Sequence, residues 1–121
     1  LSLLLTEKYV RAGEPFIDVG SGSGILSVAA ILLGATEALG IDIDEESMQS
    51  RRDNAERNGV ADKIVFTRTV IPDILAGKSD VKLTHAPVVI ANILTPILEM
   101  LFDQGMADLV EPGGVILLSG Y

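Results

Sequence analysis

The feature that most constrains the fold of this chain is a glycine-rich segment at residues 18–24, Asp-Val-Gly-Ser-Gly-Ser-Gly. It closes a short apolar run that starts at Phe16, and a second apolar run starts at Ile25. Glycines let the backbone turn tightly, and they leave main-chain N–H groups open to a ligand because no Cβ shields them. A plain turn needs one or two glycines, so three in strict alternation predict a ligand-binding loop between a strand and a helix.

The rest of the sequence alternates short apolar runs with helical patterns. Strands are predicted at five runs, residues 16–19, 38–41, 64–69, 88–91 and 115–118. Helices are predicted at residues 1–10, 25–32, 45–58 and from Thr95 up to Glu111, whereas residues 70–86 follow no regular pattern. Strands that are apolar on both faces and alternate with helices predict an α/β fold, with a doubly wound parallel sheet covered on both sides.

Apolar spacing also predicts which faces two of these helices bury. The first helix is expected to present one apolar face made of Leu1, Leu4, Leu5 and Tyr9. The second shows the i, i+3, i+4, i+7 spacing of an amphipathic helix at Ile25, Val28, Ala29 and Leu32.

Composition excludes several classes of protein. The chain has 121 residues, a formal net charge of -8 and no Cys. The length fits one domain. The excess of acidic residues argues against a basic surface that binds nucleic-acid phosphates. Without Cys, the chain can form no disulfide, no thiolate zinc site and no Cys nucleophile. The apolar run at residues 3–5 is far too short to span a membrane, and the only His, His85, is expected on a surface loop. We therefore expect a cytoplasmic protein with no membrane or nucleic-acid partner and no bound metal.

A second candidate site residue is Asp42, which ends the second predicted strand 22 positions after Gly20. Sheets of this type that bind nucleosides place an acid about 20 residues after the glycine loop, where its carboxylate accepts hydrogen bonds from the ribose hydroxyls. Asp44 suits a different role, because it is well placed to cap the next helix.

Two ligands compete for this layout. A dinucleotide site uses Gly-x-Gly-x-x-Gly. Counted from Gly20, the third glycine of that motif would fall at position 25, which is Ile25, and the observed spacing is Gly-x-Gly-x-Gly. Asp18, which opens the motif, would sit poorly beside a pyrophosphate and suits a cationic ammonium group. S-adenosylmethionine has an ammonium group, an adenosine ribose and no phosphate. A nicotinamide-dependent oxidoreductase and a catalytically silent cofactor-binding scaffold remain the alternatives.

The motif at residues 18–30 and the strand end at residues 40–44 resemble those of class I S-adenosylmethionine-dependent methyltransferases. A narrower resemblance, to the PrmA type that methylates large-subunit ribosomal protein eleven, is carried by residues 54–60, 89–94, 111–114 and 118–120. The resemblance extends over nearly the whole chain. It implies a Rossmann-like core with about five of the usual seven strands, the final strands missing.

The resemblance also implies roles for individual residues. Asp18, Gly20, Ser21, Gly22 and Gly24 would contact the methionine end of the cofactor. Asp42 would hold the ribose and Ile43 would pack on the adenine. Asn92, at the mouth of the fourth strand, would face the methyl group and the acceptor nitrogen, as both a cofactor-binding and a catalytic residue.

The same resemblance implies methyl transfer to a protein amine, on a lysine or an amino terminus of a ribosomal protein, with another protein or a small molecule as the alternative acceptor. Two departures from the usual pattern stand out: residues 69–73 are irregular, and Pro87 stands where an Asp is usual. Because the chain starts at Leu1 and ends directly after an apolar run, we expect residues 1–121 to be the cofactor-binding core of a longer protein.

Overall fold

A computed structural model describes residues 2–20, 22, 24–42, 48–77, 82–93 and 95–119 of the chain. Its strands are β1 (Phe16–Val19), β2 (Ala38–Ile41), β3 (Ile64–Thr67), β4 (Ala86–Asn92) and β5 (Val110–Ser119). Its α-helices are α1 (Ser2–Tyr9), α2 (Ile25–Leu32), α3 (Met48–Arg57), α4 (Ile71–Leu75) and α5 (Thr95–Asp103). Two short 3-10 turns cover Ala61–Lys63 and Met106–Leu109.

The five strands form one parallel sheet in the order β3-β2-β1-β4-β5. Strand β1 lies at the centre, where Phe16 pairs with Ala38 on one side and with Val88 on the other. The chain therefore runs outwards from β1 in one direction and then returns to build β4 and β5 on the opposite side. This reversal creates a crevice at the carboxyl ends of β1 and β4, where ligands bind in open α/β sheets. The predicted fold class is confirmed.

Alternation along the central strands creates two hydrophobic cores, one on each face of the sheet. Phe16, Val88 and Ile90 belong to the core beneath α1, α2 and α3, whereas Ile17 and Val89 belong to the opposite core, which α4 and α5 cover. Because neighbouring strand residues point to opposite faces, a sheet buried on both sides needs a nearly continuous apolar run. Asp18 interrupts that run on the face covered by α2.

The predicted buried face of α2 is wrong at two of its four residues, Ile25 and Leu32. Val28 is buried, but Ile25 and Leu32 are 50% and 62% exposed, and the residues that α2 buries are Leu26, Ser27, Val28, Ala30 and Ile31. The helix is apolar on nearly its whole circumference, so the spacing of apolar residues could not select a face. In α1, Leu5 and Tyr9 pack on the core as predicted, whereas Leu4 is 66% exposed and the buried position belongs to Thr6.

The bounds of several elements also differ from the prediction, including α5, which was predicted to continue up to Glu111 but ends at Asp103. Strand β3 ends at Thr67, and the segment predicted to be irregular contains α4, whose Ile71 and Ile74 are fully buried. Strand β4 begins at Ala86 and so includes Pro87, and β5 extends over residues 110–119 with a register shift against β4 between Ala86 and Val88. The shift accommodates the Pro-Gly-Gly segment at residues 112–114.

No helix in the part of the chain that the structure describes is both long and apolar enough to cross a membrane.

Candidate functional site

The glycine loop follows β1 directly, as predicted. Gly20, Gly22 and Gly24 have φ angles of +75°, +54° and +82°, which L side chains rarely adopt. The Gly20 N–H donates to the main-chain oxygen of Ile41 at 2.6 Å, so the start of the loop is tied to the end of β2. Gly24 precedes the first turn of α2, where its oxygen accepts the N–H of Val28 at 3.0 Å. All three positions therefore require glycine for conformational reasons.

Gly24 is also restricted by its neighbours. A Cβ at this position would lie 2.9 Å from Phe66 Cζ and 3.3 Å from the Cα of Arg51. At Gly22 nothing lies within 4 Å of the same added atom. Two glycines of one loop thus share a left-handed backbone but differ in the space around them.

Asp42 lies at the end of β2 and contacts the loop. Its Oδ2 accepts the N–H of Gly22 at 3.0 Å and lies 3.5 Å from Arg51 Nη1. The same Nη1 donates to the main-chain oxygen of Gly22 at 3.4 Å. These contacts join β2, the glycine loop and α3, and they turn the Asp42 carboxylate toward the loop.

Asp18 lies beneath the loop and has no exposed surface. Its Oδ2 accepts the hydroxyl of Ser27 at 3.2 Å, whereas Oδ1 is buried and receives no hydrogen bond from any described residue. The pKa of Asp18 is raised to about 7, mainly by burial and less by the nearby Asp42 carboxylate, against the lowering effects of the Ser27 hydrogen bond and the Arg51 guanidinium. A positive charge brought close to this carboxyl group would favour its ionised form.

A cavity of about 430 Å³ opens beside the loop at the carboxyl ends of β1, β2 and β4, with α4 and α5 along its sides. Asp42 is the only charged residue among the described residues that line it, and none of them is basic. The other lining residues are mostly apolar: Val19, Gly20, Ile41, Thr69, Val70, Ile71, Asn92, Ile93, Ile97, Met100, Leu101 and Gln104. The cavity therefore offers a carboxylate and apolar walls, and it offers no cation to a phosphate group.

The structure brings several of the predicted site residues together. Gly20, Asp42 and Asn92 line the cavity, and Asn92 is exposed at the last position of β4. Gly22, Gly24 and Asp18 do not line the cavity: Gly22 contacts the Asp42 carboxylate, and Asp18 lies on the face of the sheet that α2 covers. Ser21 and Ile43 lie outside the described residues, so their predicted roles are not examined by this geometry. No cluster of metal-ligating side chains occurs within the described ranges.

His85 is exposed in the segment before β4, where its Nδ1 lies 2.7 Å from the hydroxyl of Thr84. It does not line the cavity. The predicted surface position of this histidine is confirmed.

Two polar residues of the site were not predicted from the sequence. Arg51 is fully buried in a helix whose sequence is mostly polar, and nothing distinguishes it there from the exposed Arg52. Ser27 follows Gly24 by three positions and faces Asp18, but a serine in an apolar helix is also common on a packed face. The contact of Arg51 joins elements that are distant in sequence. The contact of Ser27 lies on a helix face that the apolar periodicity did not identify.

Comparison with known proteins identifies the family. The family model described as "Ribosomal protein L11 methyltransferase (PrmA)" matches residues 1–121. A ribosomal protein L11 methyltransferase from Pelotomaculum thermopropionicum is 40% identical over 120 residues, which is 99% of this chain and 36% of the relative.

Solved structures give the same result. The crystal structure of ribosomal protein L11 methylase from Lactobacillus delbrueckii subsp. bulgaricus superimposes with a TM-score of 0.77 at 34% identity, covering 97% of this chain and 57% of that one. An S-adenosylmethionine-dependent methyltransferase from Thiobacillus denitrificans, solved in complex with S-adenosyl-L-homocysteine, gives a TM-score of 0.69 at 25% identity, over 97% of this chain and 46% of that one. The chain spans about a third of the length of the curated relatives it matches. It belongs to the ribosomal protein L11 methyltransferase (PrmA) family.

Proposed function

We propose that this chain forms the S-adenosylmethionine-binding core of a methyltransferase that acts on ribosomal protein L11. The observation that carries the proposal is the cavity beside the glycine loop, whose only charged described lining residue is the acid Asp42. A nicotinamide dinucleotide carries a pyrophosphate, which favours a helix N-terminus or a basic group. S-adenosylmethionine carries an adenosine ribose and positive charge, and it has no phosphate. The charge of the cavity therefore favours the methyl donor.

The residues around the cavity suit such a ligand. Asp42 would hold the ribose hydroxyls, and Ile43 would pack on the adenine. Gly20, Ser21, Gly22 and Gly24, together with Asp18, would contact the methionine end. The buried Oδ1 of Asp18 supports this assignment, because a nearby ligand ammonium would compensate a carboxylate oxygen to which no described residue donates a hydrogen bond.

The bound cofactor would supply an activated methyl group, so the chain has little covalent chemistry to perform. Its contribution is geometric: the apolar walls at Ile93 and Ile97 exclude water, and Asn92 presents an amide at the mouth of the cavity. The amide oxygen of Asn92 would accept an N–H of the neutral acceptor amine and direct the nitrogen lone pair toward the methyl carbon. Holding two reactants in such a geometry is worth on the order of 7 to 11 kcal/mol.

The substrate is proposed from the names of the relatives. The relatives from Pelotomaculum thermopropionicum and Photobacterium profundum are both named ribosomal protein L11 methyltransferase, and a lysine or amino-terminal amine of such a protein is the proposed acceptor. Because the chain corresponds to about a third of these relatives, we propose that it is the cofactor-binding core of a longer enzyme.

Ligand binding is the direct test of the proposed cofactor. The chain is expected to bind S-adenosylhomocysteine in a calorimetric titration and to show no comparable affinity for NAD. Asp42→Ala is expected to weaken the binding of S-adenosylhomocysteine by about tenfold to a hundredfold, because hydrogen bonds to a charged acceptor are lost. An exposed acid, Asp103→Ala, serves as the control. Preferential binding of NAD would overturn the proposed function, and unchanged affinity in Asp42→Ala would overturn the position of the ribose.

Methyl transfer tests the role of Asn92. With a tritiated methyl donor and ribosomal protein L11, Asn92→Ala is expected to lower the rate of transfer by on the order of tenfold to a hundredfold while the affinity for S-adenosylhomocysteine stays within about twofold. Asn58→Ala, at an exposed position beyond the end of α3, is the control for the same substitution. Cofactor binding without transfer to any protein would favour the silent scaffold.

A further inference from the structure

Arg51 is a buried cation that the proposed chemistry does not use. Its side chain is 1% exposed, although it belongs to a polar helix and its sequence neighbour Arg52 is exposed. Removing a guanidinium group from water costs several kcal/mol unless the group is paired and hydrogen-bonded. Because only one of the two adjacent arginines is buried, we expect Arg51 to have specific partners that compensate its desolvation.

Two of the groups that Arg51 contacts belong to the candidate site, the Asp42 carboxylate and the Gly22 main chain. Nη1 lies 3.5 Å from Asp42 Oδ2 and donates to the main-chain oxygen of Gly22 at 3.4 Å. The Gly22 N–H donates to that same Asp42 oxygen at 3.0 Å, which closes a ring of contacts among the three residues. On its other side, the guanidinium carbon lies 5.9 Å from the centre of the Phe66 ring, within the range of a cation–π contact.

This ring of contacts restricts groups that would otherwise move independently. A carboxylate at a strand end rotates about its side-chain torsions, and a loop with alternating glycines has more backbone freedom than a loop without glycine. Arg51 contacts both the side chain of Asp42 and the main chain of Gly22, so it fixes the carboxylate and the loop relative to each other. Binding groups that are already held in place cost a ligand less to order.

We propose that Arg51 is a positioning residue that sets the recognition of the ribose hydroxyls by holding the Asp42 carboxylate against the glycine loop. The inference rests on the proposed function, because it assigns the ribose to Asp42. A positioning role differs from that of a purely structural ion pair in one measurable way. The loss of affinity when Arg51 is replaced must depend on whether the ligand carries ribose hydroxyls. A buried ion pair that served stability alone could be replaced by an apolar residue with little change in how the protein distinguishes ligands.

The test compares two ligands across three variants. Calorimetry measures the affinity of S-adenosylhomocysteine and of its 2′,3′-dideoxy analogue for the wild-type chain and for Arg51→Met, Arg51→Lys and Arg52→Met. Methionine keeps the unbranched stem and removes the charge, and Arg52→Met applies the same change to an exposed residue one position along the helix. Urea unfolding of each variant reports stability separately from binding.

In Arg51→Met the affinity for S-adenosylhomocysteine is expected to fall by about tenfold or more, as for the loss of a charged hydrogen-bonding partner, while the affinity for the dideoxy analogue changes by less than about twofold. The ratio of the affinity for S-adenosylhomocysteine to that for the dideoxy analogue is therefore expected to fall strongly. Arg51→Lys is expected to keep part of that preference, because an ammonium group retains the charge but lacks the planar fork of donors. Arg52→Met is expected to match the wild-type chain.

If Arg51→Met fails to fold, the ratio of the two affinities in Arg51→Lys decides the question in the same way. Equal losses of affinity for the two ligands in an Arg51 variant, or an unchanged preference in a folded Arg51 variant, would overturn the positioning role. Neither result would contradict the proposed cofactor. A wild-type chain that does not bind S-adenosylhomocysteine would overturn the proposed function itself, and this inference with it.

Discussion

Gly24→Ala is expected to lower the free energy of unfolding by about 2 to 5 kcal/mol, the sum of two separate costs. The first is the left-handed backbone, φ +82°, which a residue with a Cβ adopts at a cost of roughly 1–2 kcal/mol. The second is steric, because the added Cβ would lie 2.9 Å from Phe66 Cζ and 3.3 Å from the Arg51 main chain. Urea unfolding followed by circular dichroism measures the loss.

Gly22→Ala is the matched control for this loss. Gly22 has the same class of backbone conformation, φ +54°, but its added Cβ meets nothing within 4 Å, so only the backbone cost of roughly 1–2 kcal/mol is expected. The double variant Gly24→Ala with Phe66→Leu is expected to recover part of the steric cost, since a leucine leaves room where the ring stood. Equal losses at the two glycines would show that Phe66 and Arg51 do not restrict Gly24.

The fold of the chain was predictable because its strands are short and apolar on both faces. Residues 16–19 and 38–41 match the observed β1 and β2 at both ends, since a run of this kind can only be buried inside a parallel sheet. The left-handed glycines follow from their alternation in the sequence. The order of the strands was not predicted, because right-handed crossovers allow more than one order of parallel strands.

Burial on the helices was less predictable because it depends on packing between elements. In α2, Ile25 and Leu32 are as apolar as the buried Leu26 and Ile31, and the direction in which the glycine loop leads into the helix selects which pair faces the sheet. The short α4 was missed because five residues around Pro72 give too little periodicity to recognise.

The polar interior of the site was the least predictable part. Asp18 and Asp42 were identified as site residues from their positions, but the sequence does not reveal that one is buried without a donor to Oδ1 and that the other contacts a buried arginine. Arg51 follows Gly22 by 29 positions, and its burial depends on how α3 packs against the loop and β3. Contacts of this kind result from the assembled fold and leave no local pattern.

Asp18→Asn is expected to stabilise the protein at pH 8 and to have little effect near pH 4. The pKa of Asp18 is about 7 in the folded chain, mainly because burial disfavours the carboxylate, against an ordinary value of 3.8. Between these two values the folded chain keeps a proton that the unfolded chain has lost, so stability falls as the pH rises through this window and levels off above pH 7. Asparagine has no such proton, and its advantage grows to at most about 4 kcal/mol above pH 7.

Urea unfolding of both proteins at pH 4, 6 and 8 measures this difference, and Asp103→Asn, an exposed acid, is the control. The Ser27 hydroxyl can donate to an asparagine oxygen as it does to Asp18, so the substitution removes the charge and keeps that contact. A difference that does not change with pH would contradict the raised pKa. Folds usually bury an acid with an oxygen that receives no hydrogen bond only at functional sites. Asp18 is buried beside the glycine loop, no described residue donates to its Oδ1, and its carboxyl group is expected to lower stability at neutral pH. The expected pH dependence therefore separates an acid present for ligand binding from one that stabilises the fold.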